Sequence, residues 1–262
     1  MKDSYAVITG ASQGLGRAFA AELAKENNNL ILVSLPGQNL KEFAEELQTE
    51  YLVKTSCYET DLSIKENVMD LSEWINSKFS IHMLINNAGI GGSKKFSDAS
   101  GSYIEKIIQL NVLATSLLTH QLLPNLQKSS KAYVLNVSSL AAFSPIGYKT
   151  VYPASKAFIH SFSRGLYQEL KDTNVFVSVV NPGPMKTNAE VSRRIEEQGF
   201  WARITCLDPQ RVARYCIRRL KKCDTVIMVN HISWLLLKIL PIWLKMPMLT
   251  NKIKREINIA TL

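Results

Sequence analysis

Seven short apolar runs alternate along this chain with segments of helical periodicity. Such an alternation is typical of a parallel sheet, because each parallel connection needs a crossover, usually a helix that covers one face of the sheet. We therefore expect an α/β fold with a single doubly wound, seven-stranded parallel sheet that binds ligands at the carboxyl ends of its strands. The strands are predicted at Tyr5–Thr9, Asn29–Ser34, Lys54–Tyr58, His82–Asn86, Lys131–Val137, Asn174–Val180 and Thr225–Val229.

Length and composition agree with one large domain. The chain has 262 residues, enough for a stable core, and contains no repeat or low-complexity linker. Helix starts are expected at Ser63 and at Asp208, where a capping residue precedes Pro209. The first predicted strand begins at residue 5, which leaves no room for a secretory signal peptide, so we expect a cytoplasmic protein. Its scattered cysteines form no Cys-x-x-Cys or Cys/His cluster and predict neither a metal site nor a disulfide framework: Cys57, Cys206, Cys216 and Cys223.

A glycine-rich turn follows the first predicted strand and leads into the helical run Arg17–Lys25. Its glycines are Gly10, Gly14 and Gly16. Glycine lets the backbone turn tightly and approach a pyrophosphate, and a helix start offers unpaired N–H groups and a partial positive charge. A glycine triplet alone indicates only a turn, but the strand before it and the helix after it favour a dinucleotide-binding site.

A serine, a tyrosine and a lysine between residues 137 and 156 have a spacing that suits hydride-transfer chemistry. Ser139 precedes Tyr152 by thirteen residues, and Lys156 follows Tyr152 by four. If a helix begins near Pro153, Tyr152 and Lys156 share one face, so that the ammonium can stabilise the phenolate and lower the tyrosine pKa. A tyrosine with an ordinary pKa of about 10 is otherwise a poor proton donor or acceptor at neutral pH.

The chain contains a second pair with the same spacing, Tyr167 and Lys171, on the same predicted helix. Ala154 stands where the partner serine of this second pair would be. A Tyr-x-x-x-Lys match is therefore weak alone, and Tyr152 and Lys156 gain significance only as part of a larger set.

That larger set resembles the short-chain dehydrogenase/reductase family. The resemblance is carried in chain order by five signatures, which are jointly far more specific than any one of them. The matching residues are Thr9, Gly10, Gly14 and Gly16 for the family's Thr-Gly-x-x-x-Gly-x-Gly turn, Asn86–Gly89 for its Asn-Asn-Ala-Gly segment, Asn111 for its active-site asparagine, Ser139, Tyr152 and Lys156 for its catalytic set, and Pro182-Gly183 with Thr187 for the loop that closes over the nicotinamide.

The resemblance implies a Rossmann domain, an oxidoreductase activity and a role for each matching residue. Tyr152 would be the general acid in ketone reduction, Ser139 would hydrogen-bond the carbonyl oxygen, and Lys156 would hold the ribose. Asn111 would help to hold a water that links Lys156 to solvent, unless it is only a solvent-facing helix residue. The implied cofactor-binding residues are Thr9, Gly10, Ser12, Gln13, Gly14, Leu15, Gly16, Ser34, Asp61, Leu62, Asn87, Ala88, Gly89, Tyr152, Lys156, Pro182, Gly183 and Thr187.

The choice of nicotinamide cofactor depends on the end of the second strand, Ser34–Asn39. A carboxylate there would bind the ribose 2′-OH of NAD and repel the 2′-phosphate of NADP. No acid is present, although the arginine near Leu35 and the basic residue near Gln13 that NADP users of the family often carry are missing too. We expect NADP(H) rather than NAD(H). Asp61 matches an adenine-contacting aspartate of the family, and it is also a candidate N-cap for the helix at Ser63.

The positive charge is concentrated at the C-terminal end. The formal net charge is +9, and residues 193–262 account for all of it with 14 Lys/Arg and 5 Asp/Glu. This part also holds the most apolar run, 232–249, which lysines and prolines interrupt, so it is a poor transmembrane span. Three interpretations stay open for 231–262: a helix lying in an anionic lipid interface, a helix packed on the cleft or a subunit, and a surface for an acidic partner. Without an aromatic-lined groove or a reading helix, no nucleic-acid partner is expected.

The C-terminal part also bears on the substrate. The resemblance extends to the DltE-type, hydroxysteroid and 3-keto-lipid reductase branch, which implies a hydrophobic ketone or alcohol. We expect a catalytic domain over 1–230 and a substrate lid over 188–207. The expected lining of the lid is Phe200, Trp201 and Ile204, with Arg193 and Arg194 near its rim.

Two other functions and the assembly state follow from the same residues. A catalytically inactive NADP-binding regulatory subunit is the first alternative, but it would not need the complete catalytic set. An extended sugar-nucleotide epimerase is the second, although its Gly-x-x-Gly-x-x-Gly turn fits this chain poorly. In the family, two helices pair across a two-fold axis, so we expect a homodimer or homotetramer. The corresponding apolar stripes lie on Tyr103–Leu123 and on Pro153–Leu170, where they include Phe158, Phe162, Leu166 and Leu170.

Overall fold

The computed structural model describes residues 4–185 and 207–260. Its seven strands form one sheet in the order β3-β2-β1-β4-β5-β6-β7, and every neighbouring pair is parallel. The predicted doubly wound sheet is confirmed. The strands are β1 (Ser4–Thr9), β2 (Asn29–Ser34), β3 (Thr55–Glu59), β4 (Ser80–Asn86), β5 (Ala132–Val137), β6 (Val175–Asn181) and β7 (Val226–Met228).

Helices cover both faces of this sheet. One layer contains α1, α2 and α7, and the other contains α3, α5 and α6. In β1, Ala6 and Ile8 face the first layer while Val7 faces the second, as the alternation of side chains along a strand requires. The helices are α1 (Gly14–Lys25), α2 (Leu40–Tyr51), α3 (Lys65–Lys78), α4 (Gly101–Ile108), α5 (Thr115–Leu126), α6 (Val151–Leu170), α7 (Pro209–Lys221), α8 (His231–Ile239) and α9 (Ile242–Ala260).

A chain of polar side chains crosses the second layer of the core. Asn86 donates hydrogen bonds to Thr119 at 2.9 Å and to Asn136 at 2.8 Å, and Asn136 donates to Ser163 at 2.9 Å. The side-chain amides of Asn86 and Asn136 are therefore paired, as burial of polar groups requires. This network joins β4, β5, α5 and α6, and nothing in the sequence analysis pointed to it.

Three local expectations were wrong in detail. The helix expected at Ser63 begins at Lys65, because Asp61 accepts hydrogen bonds from the backbone N–H and hydroxyl of Ser63 and so forms a separate turn before the helix. The helix expected over Tyr103–Leu123 is divided by a π-helical segment, Gln109–Ala114. The apolar stripe on α6 is only partly available for contact with a second subunit, since Leu170 is buried and Leu166 packs against the core.

The C-terminal extension forms two consecutive helices, α8 and α9, that pack on the domain, and we refer to this helix–turn–helix unit as the hairpin. Lys245 and Ile253 of α9 are buried. Across the described residues, no helix combines the length and the apolar character needed to cross a bilayer.

Candidate active site

The ends of β1 and β4 meet at the carboxyl edge of the sheet and are joined through Thr9. The Thr9 hydroxyl oxygen accepts hydrogen bonds from the backbone N–H groups of Asn87 and Ala88, both at 3.0 Å. The Asn87 amide in turn donates to the carbonyl oxygens of Thr9 at 2.9 Å and Gly10 at 3.2 Å. The Asn87–Gly89 segment is thereby fixed beside the glycine turn, as the resemblance implied.

Two glycines of this turn are required by close backbone approach. Gly10 has a φ of +66°, and a Cβ atom there would lie 2.9 Å from the Asn87 amide nitrogen. A Cβ atom at Gly16 would collide with the carbonyl oxygen of Gly10. The turn ends at the start of α1, where Gln13 makes no capping hydrogen bond with its side chain. The first N–H groups of α1 are therefore open to a pyrophosphate, so the residues fit a dinucleotide.

Helix α6 positions Tyr152 and Lys156. Tyr152 lies in its first turn and Lys156 one turn later, with the lysine Nζ atom 6.0 Å from the centre of the tyrosine ring. The ammonium donates a hydrogen bond to the carbonyl oxygen of Val137 at 2.8 Å. Burial lowers the pKa of Lys156 to about 8, because a buried ammonium loses its hydration. A lysine held in this state is close to its titration point at physiological pH.

Ser139 follows the end of β5 and acts on Tyr152. Its hydroxyl oxygen accepts from the backbone N–H of Ala141 at 3.1 Å. Burial raises the pKa of Tyr152, whereas its hydrogen bond with Ser139 lowers this pKa. The net direction is upward, so the lowering expected from Lys156 is not found in this structure. The physical reason is that the effect of burial outweighs that of the hydrogen bond with Ser139.

Asn111 lies in the π-helical segment and is buried, which excludes the solvent-facing interpretation. Its side-chain oxygen accepts from the backbone N–H of Ile90 at 2.9 Å, and its amide donates to the Ile90 carbonyl at 2.9 Å and to Ser155 at 3.0 Å. π-Helical segments are frequent at functional sites. Here the segment brings Asn111 against the loop after β4 and against α6, beside Lys156.

The predicted adenine and ribose contacts lie at the ends of β2 and β3. Ser34 is buried and donates to the Leu35 carbonyl at 2.9 Å. Asp61 is paired with Ser63 and lies 3.6 Å from the Lys106 ammonium. Burial alone would raise the pKa of Asp61, but these hydrogen bonds and the lysine charge outweigh it and lower the pKa. Leu62, after Asp61, is buried, while Ser12 in the glycine turn is partly exposed.

The loop after β6 contributes Pro182 and Gly183. The Pro182 carbonyl accepts from the backbone N–H of Leu140 at 3.0 Å, which places this loop beside the turn that follows Ser139. Met185 and Leu207 form a parallel bridge. The remaining predictions for this loop lie outside the described residues. They are Thr187, the lid expected over 188–207 with the exception of Leu207, and the lid side chains named above.

Sequence reasoning missed Gly91 and the particular contacts that the hairpin of α8 and α9 makes beside the site. A Cβ atom at Gly91 would lie 3.2 Å from the Tyr152 ring, so the loop after β4 passes directly over that ring; the glycines that follow Asn87–Gly89 were the available signal. The hairpin holds the segment between Ser139 and Tyr152. Lys245 donates to the Phe143 carbonyl at 3.2 Å, and Thr250 accepts from the backbone N–H of Gly147 at 3.0 Å.

The second Tyr-x-x-x-Lys pair lies away from this cluster. The Tyr167 ring packs against Phe176 of β6 at 5.4 Å, and Lys171 follows the last residue of α6. Tyr167 and Tyr152 stand on one helix but in different surroundings. Tyr167 therefore serves as an internal control for Tyr152.

Comparison with known proteins agrees with this arrangement. The family model described as short chain dehydrogenase matches residues 4–198. The chain is 36% identical over 183 residues to a very-long-chain 3-oxoacyl-CoA reductase of Anas platyrhynchos, covering 68% of this chain and 59% of that protein. It is 31% identical over 236 residues to an uncharacterized oxidoreductase of Staphylococcus saprophyticus, covering 89% of this chain and 97% of that protein. The chain thus spans less than two thirds of the length of the reductase.

Solved structures show the same fold. A short-chain dehydrogenase from Sphingobium yanoikuyae in complex with NADPH superimposes with a TM-score of 0.79 at 25% identity, covering 87% of this chain and 88% of that one. A short-chain dehydrogenase/reductase from Burkholderia phymatum in complex with NAD gives a TM-score of 0.80 at 22% identity, covering 91% and 93%. The family model covers most of the chain, and the glycine turn, Ser139, Tyr152 and Lys156 meet at one edge of the sheet. The chain is an oxidoreductase that belongs to the short-chain dehydrogenase/reductase family.

Proposed function

We propose that this oxidoreductase interconverts a ketone and a secondary alcohol with NADP(H) and acts on a hydrophobic substrate. The observation that carries the proposal is the position of Tyr152. Its ring lies under the loop at Gly91, its hydroxyl interacts with Ser139, and Lys156 follows on the same helix face. A phenol so placed can give a proton to a carbonyl oxygen or take one from an alcohol.

Each of these residues has a separate task in ketone reduction. Ser139 donates a hydrogen bond to the substrate oxygen and orients it. Tyr152 gives its proton to that oxygen as negative charge develops on it. The nicotinamide, when bound, supplies the hydride that the carbonyl carbon receives. Lys156, with its pKa lowered by burial, then favours return of a proton to the phenolate. In alcohol oxidation the same proton moves in the opposite direction.

NADP(H) is the proposed cofactor because no carboxylate stands at the end of β2. The small, buried Ser34 and the exposed Leu35 leave that position without negative charge. A 2′-phosphate would therefore meet no repulsion there, whereas the ribose hydroxyls of NAD would lack the usual carboxylate acceptor. The NADPH complex of the Sphingobium yanoikuyae structure supports this choice, while the NAD complex from Burkholderia phymatum shows that the same fold takes either cofactor.

A hydrophobic ketone is the proposed substrate class. The relatives include the very-long-chain 3-oxoacyl-CoA reductase and a hydroxysteroid dehydrogenase-like protein of Gallus gallus, 30% identical over 201 residues that cover 75% of this chain and 60% of that protein. Both names describe apolar carbon skeletons. The predicted lid side chains Phe200, Trp201 and Ile204 agree with such a substrate.

A homodimer is part of the proposal. After Leu166 and Leu170 are assigned to the core, Phe158 and Phe162 remain on the outer side of α6. Their rings stack at 5.9 Å with an angle of 9°, and Phe158 is 42% exposed. A stacked aromatic pair with one exposed ring fits contact with a second copy across a two-fold axis.

The test is a ketone panel in which the loss of NADPH absorbance is followed. Short ketones, 3-oxoacyl thioesters of increasing chain length and steroid ketones are compared with wild type and Tyr152→Phe. We expect kcat/KM to rise with the apolar size of the substrate and to depend on Tyr152. Binding of NADPH without turnover of any panel member would instead favour the regulatory-subunit alternative.

A further inference from the structure

The hairpin of α8 and α9 carries an unusual concentration of exposed apolar side chains. Among the described residues, 14 large hydrophobic side chains are exposed, and 7 of these lie between residues 235 and 248. The others are scattered singly, which is normal for a protein surface. We call the clustered set the hairpin patch: Leu235, Ile239, Ile242, Trp243, Leu244, Met246 and Met248.

Buried contacts of α9 hold the part of the patch that lies on this helix in place. Lys245 donates to the carbonyl oxygens of Leu237 at 2.7 Å and Phe143 at 3.2 Å, and Thr250 accepts from the Gly147 backbone. A Cβ atom at Gly147 would lie 2.6 Å from the Thr250 methyl carbon, so the packing there is close. The inner face of α9 thus packs against the domain. Trp243 is 72% exposed and is directed away from the domain.

Positive charge borders the patch. Lys238 lies 5.1 Å from the centre of the Trp234 ring and is exposed. On α9 the apolar first turns are followed by exposed Lys252, Lys254 and Arg255. The sequence has no Asp or Glu from residue 231 to 255. An apolar surface with basic residues and no acid is complementary to a surface that is apolar inside and negatively charged outside.

We propose that the hairpin patch docks on the surface of an anionic phospholipid membrane. Trp243, Leu244 and Met248 enter the interface, and Lys238, Lys252, Lys254 and Arg255 contact the lipid headgroups. The helix lies on the membrane and does not cross it. Because the inner face of the hairpin holds the segment between Ser139 and Tyr152, docking brings the active-site mouth next to the lipid phase. This deepens the proposed function, since a hydrophobic ketone is most concentrated there.

The experiment uses the full chain and vesicles, and it requires no catalysis. Wild-type protein is sedimented with vesicles of pure phosphatidylcholine and with equimolar phosphatidylcholine and phosphatidylserine, at low and high salt. We expect binding to the anionic vesicles only, and binding that weakens as salt screens the basic side chains. Vesicle binding is measured without turnover, so a ketone panel that shows no activity would not change the binding result. The proposed function and the membrane proposal can therefore be refuted independently.

Matched variants locate the contact. The double variant Trp243→Ser, Leu244→Ser should lower the partition coefficient at least about tenfold, because two apolar side chains no longer leave water. The charge variant Lys252→Glu, Lys254→Glu should lower it as well and remove most of the salt dependence. Leu52→Asn changes an exposed leucine outside the hairpin and should change neither. Circular dichroism and NADPH binding verify that each variant is folded.

Tryptophan emission gives an independent readout. Wild type should shift to shorter wavelength on addition of the anionic vesicles, and Trp243→Phe should lose most of that shift. The proposal is overturned if wild type fails to bind these vesicles, binds neutral ones equally well, or binds regardless of the Trp243 and Leu244 changes. It is also overturned if that double variant lowers the molar mass in light scattering without lipid, since the patch would then join two copies of the chain.

Discussion

The ammonium of Lys245 donates a hydrogen bond to the carbonyl oxygen of Phe143, and so links α9 to the turn Leu140–Phe143 that follows Ser139. The lysine is only 8% exposed. A C-terminal helix thereby contributes to the position of a residue more than one hundred positions earlier in the chain. We predict that this contact makes Lys245 a positioning residue for the substrate side of the site.

Replacement of Lys245 tests this link. Lys245→Met should raise KM for the ketone about tenfold with a smaller loss in kcat, because the turn after Ser139 loses a charged donor worth about 1.5–3 kcal/mol. Lys245→Arg should restore part of the loss, and Lys252→Met changes an exposed lysine of the same helix as the control. Steady-state kinetics measure both constants. Equal KM values for wild type and Lys245→Met would show that the contact only holds α9 on the domain.

The second prediction concerns the proton donor. Tyr152→Phe should lower kcat by 10²–10⁴-fold, the usual contribution of general acid catalysis, and should leave NADPH binding nearly unchanged. Tyr167→Phe is the control on the same helix. Single-turnover kinetics with fluorescence titration of NADPH measure both quantities. The assignment is wrong if the two variants lose activity equally or if neither does.

A third prediction addresses the cofactor. Ser34→Asp places a carboxylate at the end of β2 and should weaken NADPH binding more than NADH binding, because it repels the 2′-phosphate. Leu35→Arg should have the opposite effect. Titration of both cofactors against wild type and the two variants gives the dissociation constants. Tighter binding of NADH than of NADPH by wild type would contradict the NADP(H) proposal.

The pKa of Lys156 predicts a pH dependence of stability. Burial lowers this pKa from 10.5 to about 8. Between these values the unfolded chain keeps a proton that the folded protein has lost, so the free energy of unfolding rises with pH; below about pH 8 both states are protonated and this lysine adds no slope. One unit above the folded pKa the rise is about 1.4 kcal/mol.

Lys156→Met should remove this rise. Urea unfolding of the cofactor-free protein near neutral pH and about one pH unit above the folded pKa gives the free energies. Other groups, such as Tyr152 and the buried Cys216 whose pKa is raised by burial, contribute to both proteins alike. The difference between wild type and variant isolates the lysine, and a difference that stays constant with pH would refute the assignment.

Assembly provides a fifth prediction. Phe158→Asp puts a charge on the exposed ring position of α6 and should convert the dimer to a monomer with little change in monomer stability. Light scattering at micromolar concentration measures the molar mass. Phe96→Asp is the control, because Phe96 is 58% exposed in a short turn elsewhere. Wild type that is already monomeric excludes this interface.

The sequence alone determined the strand order along the chain, the glycine turn and the family. Local patterns carry that information: apolar runs define buried strands, and Gly10 and Gly16 are needed wherever backbones approach this closely. The positions of Ser139, Tyr152 and Lys156 follow from the rule that ligands bind at the carboxyl edge of a parallel sheet. Spacing on a helix likewise placed Tyr152 one turn before Lys156.

Only the tertiary structure decided where charges and contacts fall. The Lys156 ammonium donates a hydrogen bond to the Val137 carbonyl. Burial raises the pKa of Tyr152, and this desolvation depends on neighbours that are distant in sequence. The interpretations of the C-terminal extension could not be separated by composition, since lysine occurs on both faces of α9. The structure places Lys245 inside against Phe143 and Trp243 outside, because side-chain burial is a property of the folded surface and not of the residue type.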